Sequence, residues 1–227
     1  MRSIVEIEYF RQIVHHLNVC AGDPMRTLSF SVKFSAFLSI GLLVACSTLP
    51  KLDVTYKTLL KSTALEGREI YFKVVDERPT RDIIGPGAKK VFKDFAGNIT
   101  LIVETGPEQK SIVGLYGVRE LFEHAFTRYL ENMGVKLSPK PSGGLPQLKI
   151  AIHDFTLDLP GSSWTARIVY EAEFSCDERS LIRQYEGEGE KPRVSGLTQA
   201  HQVMSETFSD TIHQLDVREL FSALAER

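Results

Sequence analysis

Apolar positions along the chain change period several times, and each change marks an element. Arg68–Val75 (REIYFKVV) is rich in β-branched and aromatic residues and predicts a buried strand. Asp76–Arg81 must leave the sheet, because Pro79 has no N–H to donate, and Ile83-Ile84-Gly85-Pro86-Gly87 continues as loop. Lys89–Phe95 and Ile99–Glu104 flank Ala96-Gly97-Asn98 and predict a hairpin with a three-residue turn, ended by Gly106-Pro107. Val118, Leu121, Phe122, Ala125, Phe126, Tyr129, Leu130 and Met133 follow helical spacing, with Gly134 at the left-handed terminating position. His124 falls on the polar side of that helix and reads as a solvated side chain. Leu148, Ile150 and Ile152 alternate, then Phe155, Leu157 and Leu159 alternate in the other phase, so a bulge is expected at His153-Asp154. Trp164 through Phe174 alternate again, a turn falls at Asp177-Glu178-Arg179, and Ser180–Glu190 completes the last strand. From about Thr198 a second helical stripe begins, running from Val203 to Leu215. Leu220, Phe221 and Leu224 suggest a short final turn or helix.

Three meandering strands between two amphipathic helices define the expected class. It is α+β, with a largely antiparallel sheet and two amphipathic helices packed on one face. Burial on one side explains the charges on the alternate strand positions.

The first fifth of the chain follows a different pattern. Phe34–Ala45 carries no charge. As a helix it would be roughly 18 Å long, too short for a hydrocarbon core of about 30 Å. With Arg26 and Lys33 before it, the run fits the apolar core of a secretory signal. Leu43-Val44-Ala45-Cys46 resembles the lipobox of bacterial lipoprotein signals. That resemblance implies diacylglycerol on the Cys46 thiol, cleavage just before it and acylation of the new amino group. Two or three acyl chains anchor a protein where one does not, at about 0.8 kcal/mol per buried methylene. Ser47, where aspartate favours inner-membrane retention, points to the outer membrane and its periplasmic face. Glu6, Glu8 and Asp23 oppose a signal starting at Met1, whereas Met25 begins a conventional one. The expected organisation is a misassigned extension over 1–24, a lipoprotein signal over 25–45, a lipidated tether over 46–66 and one domain over 67–227. Leu52, Val54 and Tyr56 alternate, so part of the tether can pair as an edge strand.

Composition narrows the function classes. With 27 basic and 29 acidic residues, 43% hydrophobic and 25% charged, the chain reads as globular, not disordered or basic enough for nucleic acid. Three cysteines exclude a dense disulfide framework. No nucleophile-elbow, zincin, paired-cysteine or phosphate-loop motif occurs, so neither catalytic residues nor a cofactor is expected. Gly85–Lys90 only faintly resembles a phosphate loop. Glu186-Gly187-Glu188-Gly189-Glu190 places three carboxylates on one strand face. They could hold a divalent cation, but a solvated acidic face, with glycines admitting a helix, is the favoured reading, and no metal is expected. Asp76, Arg78 and Arg81 open a long loop and form the candidate binding loop. The plainer alternative there is an Asp76–Arg78 pair that braces the turn.

The order and spacing of these segments resemble the YajG-type family of bacterial outer-membrane lipoproteins. The carrying residues are Cys46, Val75-Asp76-Glu77-Arg78, the helix closing on Met133-Gly134-Val135, Tyr170-Glu171-Ala172 and Tyr185-Glu186-Gly187. The resemblance implies a lipid-anchored periplasmic domain without established enzyme activity. The expected role is a non-catalytic interaction or adaptor module that docks an envelope protein partner. A binding domain for lipid, glycan or peptidoglycan fragments is the alternative. Labelled palmitate is expected to enter the wild-type chain and not Cys46→Ala, with Cys46 as the mature first residue by peptide mass.

Overall fold

A computed structural model describes residues 50–106, 109–194 and 196–225, so Cys46 and the stretches expected as signal and extension lie outside the described residues. Eight strands and three helices follow in chain order: β1 (Leu52–Lys57), β2 (Glu69–Asp76), β3 (Ile99–Gly106), β4 (Gln109–Tyr116), α1 (Val118–Asn132), β5 (Lys136–Ser138), β6 (Gln147–Asp158), β7 (Ser163–Cys176), β8 (Arg179–Pro192), α2 (Thr198–His213) and α3 (Val217–Ala225). The class is α+β, as the periodicity predicts. The strands divide between two sheets, β5-β2-β6-β7-β8 and β1-β3-β4.

The β6-β7-β8 meander is antiparallel, and its register slips between Ile152 and Asp154, where the change of phase predicts a bulge. β2 lies parallel to both β5 and β6. One face of the large sheet carries Leu148, Ile150, Phe155, Trp164, Ile168, Tyr170 and Phe174, all shut off from solvent. Phe122 of α1 and Phe208 of α2 meet on this face, with ring centroids 5.2 Å apart, and both contact Phe155. Both helices therefore cover the same side. Gly134 ends α1 at φ +88°, and a Cβ there would press on the backbone of Glu66.

Two stretches depart from the sequence reading. Lys89–Phe95 is no strand: Ala88–Lys90 is a short 3-10 turn, and Phe92 folds inward onto Trp164, centroid to centroid 5.9 Å. The hairpin partner of β3 is instead β4, antiparallel to it. β4 shows no alternation in its sequence because most of it is solvent-exposed. Residues 52–57 form the edge strand that their alternation predicts, but it belongs to the core and not to a tether, with Leu52, Val54 and Tyr56 fully buried. The folded unit therefore starts earlier than residue 67.

β1 pairs parallel with β3 on one side only. Its other edge is covered by a helix, not by a strand. Asp53 N–H donates to His201 Nδ1 at 3.0 Å, Thr55 N–H to Ser205 Oγ at 2.9 Å and Lys57 N–H to Ser209 Oγ at 3.1 Å. Ser209 Oγ returns a bond to the Thr55 carbonyl at 3.2 Å. Successive partners are four residues apart on α2 and two apart on β1. Four helical residues rise about 6.0 Å and two strand residues about 6.6 Å, so the two repeats stay in step over this length. On its opposite side α2 sits close to β8. A methyl at Gly187 would overlap Thr211 Oγ1, and one at Gly189 would overlap Thr207 Oγ1. The acidic stripe lies on the other face, where Arg167 reaches Asp154 at 2.8 Å, Glu186 at 2.5 Å and Glu188 at 3.2 Å.

His201 accepts the Asp53 N–H only as the neutral imidazole. Burial lowers its pKa from 6.5, against the raising effect of Asp53. Burial also lowers His213, against Asp210. Both rings thus resist protons that the unfolded chain takes up. Their contribution to stability is complete above about pH 6.5 and is lost as pH falls through the folded values. Urea titrations are expected to show the unfolding free energy falling below that pH. His201→Gln, which keeps an acceptor but does not titrate, is expected to flatten the fall.

Candidate binding cleft

The segment 77–98 leaves the end of β2 and is pinned to β6 before it reaches β3. Ile83 and Gly85 exchange backbone bonds with Leu157, each 2.8 Å long. Asp158 Oδ1 then accepts three N–H groups, from Gly87 at 2.9 Å, Ala88 at 3.0 Å and Leu159 at 2.8 Å. This accounts for the faint phosphate-loop pattern at Gly85–Lys90: its amides serve an internal carboxylate. The glycines are required by that approach. A Cβ at Gly85 would overlap the Asp158 side chain, and one at Gly87 the Leu159 carbonyl.

Between this loop and the start of α1 lies a cleft of about 990 Å³. It brings together the three sequence-predicted residues, Asp76, Arg78 and Arg81. Arg78 Nε and Nη2 donate to the two Asp76 oxygens at 2.9 and 3.0 Å, and the Arg78 N–H adds a third bond at 3.3 Å. Arg81 also pairs with Asp76. The Arg78 and Asp76 side chains are 5% and 8% exposed, whereas that of Arg81 is 72% exposed. Burial alone would raise the Asp76 carboxyl. The hydrogen bonds and charge of Arg78, with Arg81 beside it, outweigh burial and hold it below the usual range. The turn-bracing pair therefore exists, yet it leaves Arg78 Nη1 buried without an acceptor.

Sequence reasoning misses the rest of the lining. Lys89 holds Asp82 at 2.6 Å, and Arg119 holds Glu120 at 2.6 Å. Phe92, Phe95 and Val118 supply apolar wall. Asp158 gives no distinctive signal, since an aspartate before Leu159-Pro160-Gly161 reads as an ordinary turn residue. Val118–Glu120 reads only as the first turn of a helix.

Chemically, the cleft offers guanidinium and ammonium donors, carboxylates and aromatic carbon. No serine, threonine, cysteine, histidine or tyrosine lines it among the described residues. Nor do the described residues contain a group of three or more His, Cys, Asp or Glu side chains arranged to hold a metal ion.

No family model matches the chain, so the YajG-type resemblance rests on the residues quoted for it. No curated protein matches either. Among solved structures, the chain is similar to protein XCC0632 from Xanthomonas campestris, a DUF330 protein. That match has 13% identity and a TM-score of 0.43, over 76% of this chain and 98% of that one. A second structure, of an uncharacterised protein, has 14% identity and a TM-score of 0.40, over 73% and 99%. Nothing in the site depends on either likeness.

Removing the Asp158 carboxylate orphans three amides at once. Asp158→Ala is expected to cost about 3 kcal/mol or more, since each lost acceptor costs about 1–3 kcal/mol. Hydrogen exchange should speed up first at Gly87 and Ala88, ahead of the β6 and β7 amides.

Proposed function

We propose that the chain is a lipid-anchored outer-membrane lipoprotein whose periplasm-facing domain binds without catalysing, as an interaction module of the cell envelope. The anchor is supported by the sequence at Cys46, where charge, apolar length, small residue and cysteine fall in register. No helix among the described residues is long and apolar enough to cross a membrane.

The observation that carries the binding reading is the cleft under the Asp76–Gly97 loop. Its walls join buried charge to apolar carbon, and most of its charged groups are engaged in fixed ion pairs, an arrangement suited to recognition. Its lining provides no hydroxyl, thiol or imidazole poised beside a base, which favours binding over turnover.

A protein partner is the second reading, and β4 favours it. Among the described residues β4 pairs only with β3; it carries Lys110 as its one charged residue and exposes Ile112 and Leu115, which are 73% and 57% accessible. Natural edge strands are usually guarded by charge, proline or cover, and one left open is suited to adding a strand from a partner.

A photo-reactive residue placed in cells at Phe95 and, separately, at Leu115 distinguishes these readings. A small-molecule mass adduct at Phe95 supports the cleft, and a protein adduct at Leu115 supports the edge. Irradiation that yields no adduct at either position overturns the proposal.

A further inference from the structure

We propose that the cleft takes up an oxyanion, a phosphate or carboxylate group, at Arg78 with Arg81 at the rim. This rests on the reading of the cleft as a binding site and specifies its ligand chemistry. The single negative charge of Asp76 is shared by two guanidinium groups, one of which is buried. Arg78 is the buried one, and the nitrogen it holds there without an acceptor is costly unless an oxygen reaches it.

The geometry of Arg78 fits the same need. Nε and Nη2 are committed to Asp76, while Nη1 is buried without an acceptor. A guanidinium fork is well matched to a second oxygen acceptor.

The remaining charges limit what fits. Lys89 engages Asp82, Arg119 engages Glu120, and Asp94 adds a further carboxylate. Four cations, Arg78, Arg81, Lys89 and Arg119, thus face four carboxylates, so the site suits a singly charged group over a polyphosphate. The half-buried Phe95, backed by the buried Phe92, offers a surface for a short apolar body attached to that group.

Trp164, the only tryptophan in the chain, packs against Phe92 and serves as a reporter. The purified full chain is titrated with inorganic phosphate, hexyl phosphate and hexyl glucoside while tryptophan fluorescence is followed. A saturable change with a phosphate compound, and none with the glucoside, is expected. Equal affinity for the two phosphates identifies a bare oxyanion, and tighter binding of hexyl phosphate identifies an oxyanion on an organic body. Arg78→Lys keeps a charge beside Asp76 but loses the fork, and should weaken binding about tenfold or more. Should that variant fail to fold, the exposed Arg81→Gln decides, with a loss of about threefold or more expected.

Equal response to the glucoside, or unchanged affinity in the folded variants, overturns the oxyanion while leaving the cleft as a binding site. Silence with all three probes also overturns it, and the adduct test at Phe95 then judges the wider reading separately.

Discussion

The structure depends on one match of repeats, the pairing of the α2 stripe with the free edge of β1. A strand edge in a core presents N–H groups that need acceptors, and each one left without a partner costs about 1–3 kcal/mol. Here His201, Ser205 and Ser209 stand in for a neighbouring strand. Burial of Leu52, Val54 and Tyr56 contributes a comparable amount, at about 1.5–3 kcal/mol each, less what the unpartnered Tyr56 hydroxyl costs. Burial and the polar stripe together hold β1 in the core, and the stripe sets its register against the helix. The same helix lies against the glycines of β8, so α2 joins the two sheets.

The cleft follows from a similar use of internal charge. Asp158 gathers three amides and fixes the loop against β6, which leaves Asp76, Arg78 and Arg81 at a defined place beside the start of α1. Ion pairing that braces a turn and ion pairing that prepares a site are not alternatives here. The Asp76–Arg78 bond accomplishes the first, and the nitrogen it leaves over permits the second.

What could be read from the sequence depended on one-sided burial. α1 and the β6-β7-β8 meander were legible because Phe122, Ile150 and Tyr170 repeat with the period of their element. β4 was not, because Gln109, Lys110 and Ser111 face water and have no apolar alternation to give. Lys89–Phe95 misled because Val91, Phe92 and Phe95 are apolar for a tertiary reason, the Phe92 contact with Trp164. The four-residue interval of His201, Ser205 and Ser209 on α2 was not legible either, because its partners on β1 lie about 150 residues away. Of the cleft, the loop residues were visible because they are contiguous. Arg119 and Glu120 were not, since only the fold brings them to it.

The bare backbone at Gly187 and Gly189 has a consequence for how the domain comes apart. Because α2 rests on β8 and also satisfies β1, a disturbance in the large sheet passes through the helix to the small one. The two sheets cannot open as separate units at separate free energies, and β1 cannot peel away without exposing donors and apolar side chains together. The domain should thus offer proteases few partly open forms to attack, because a cut in one sheet would have to open both.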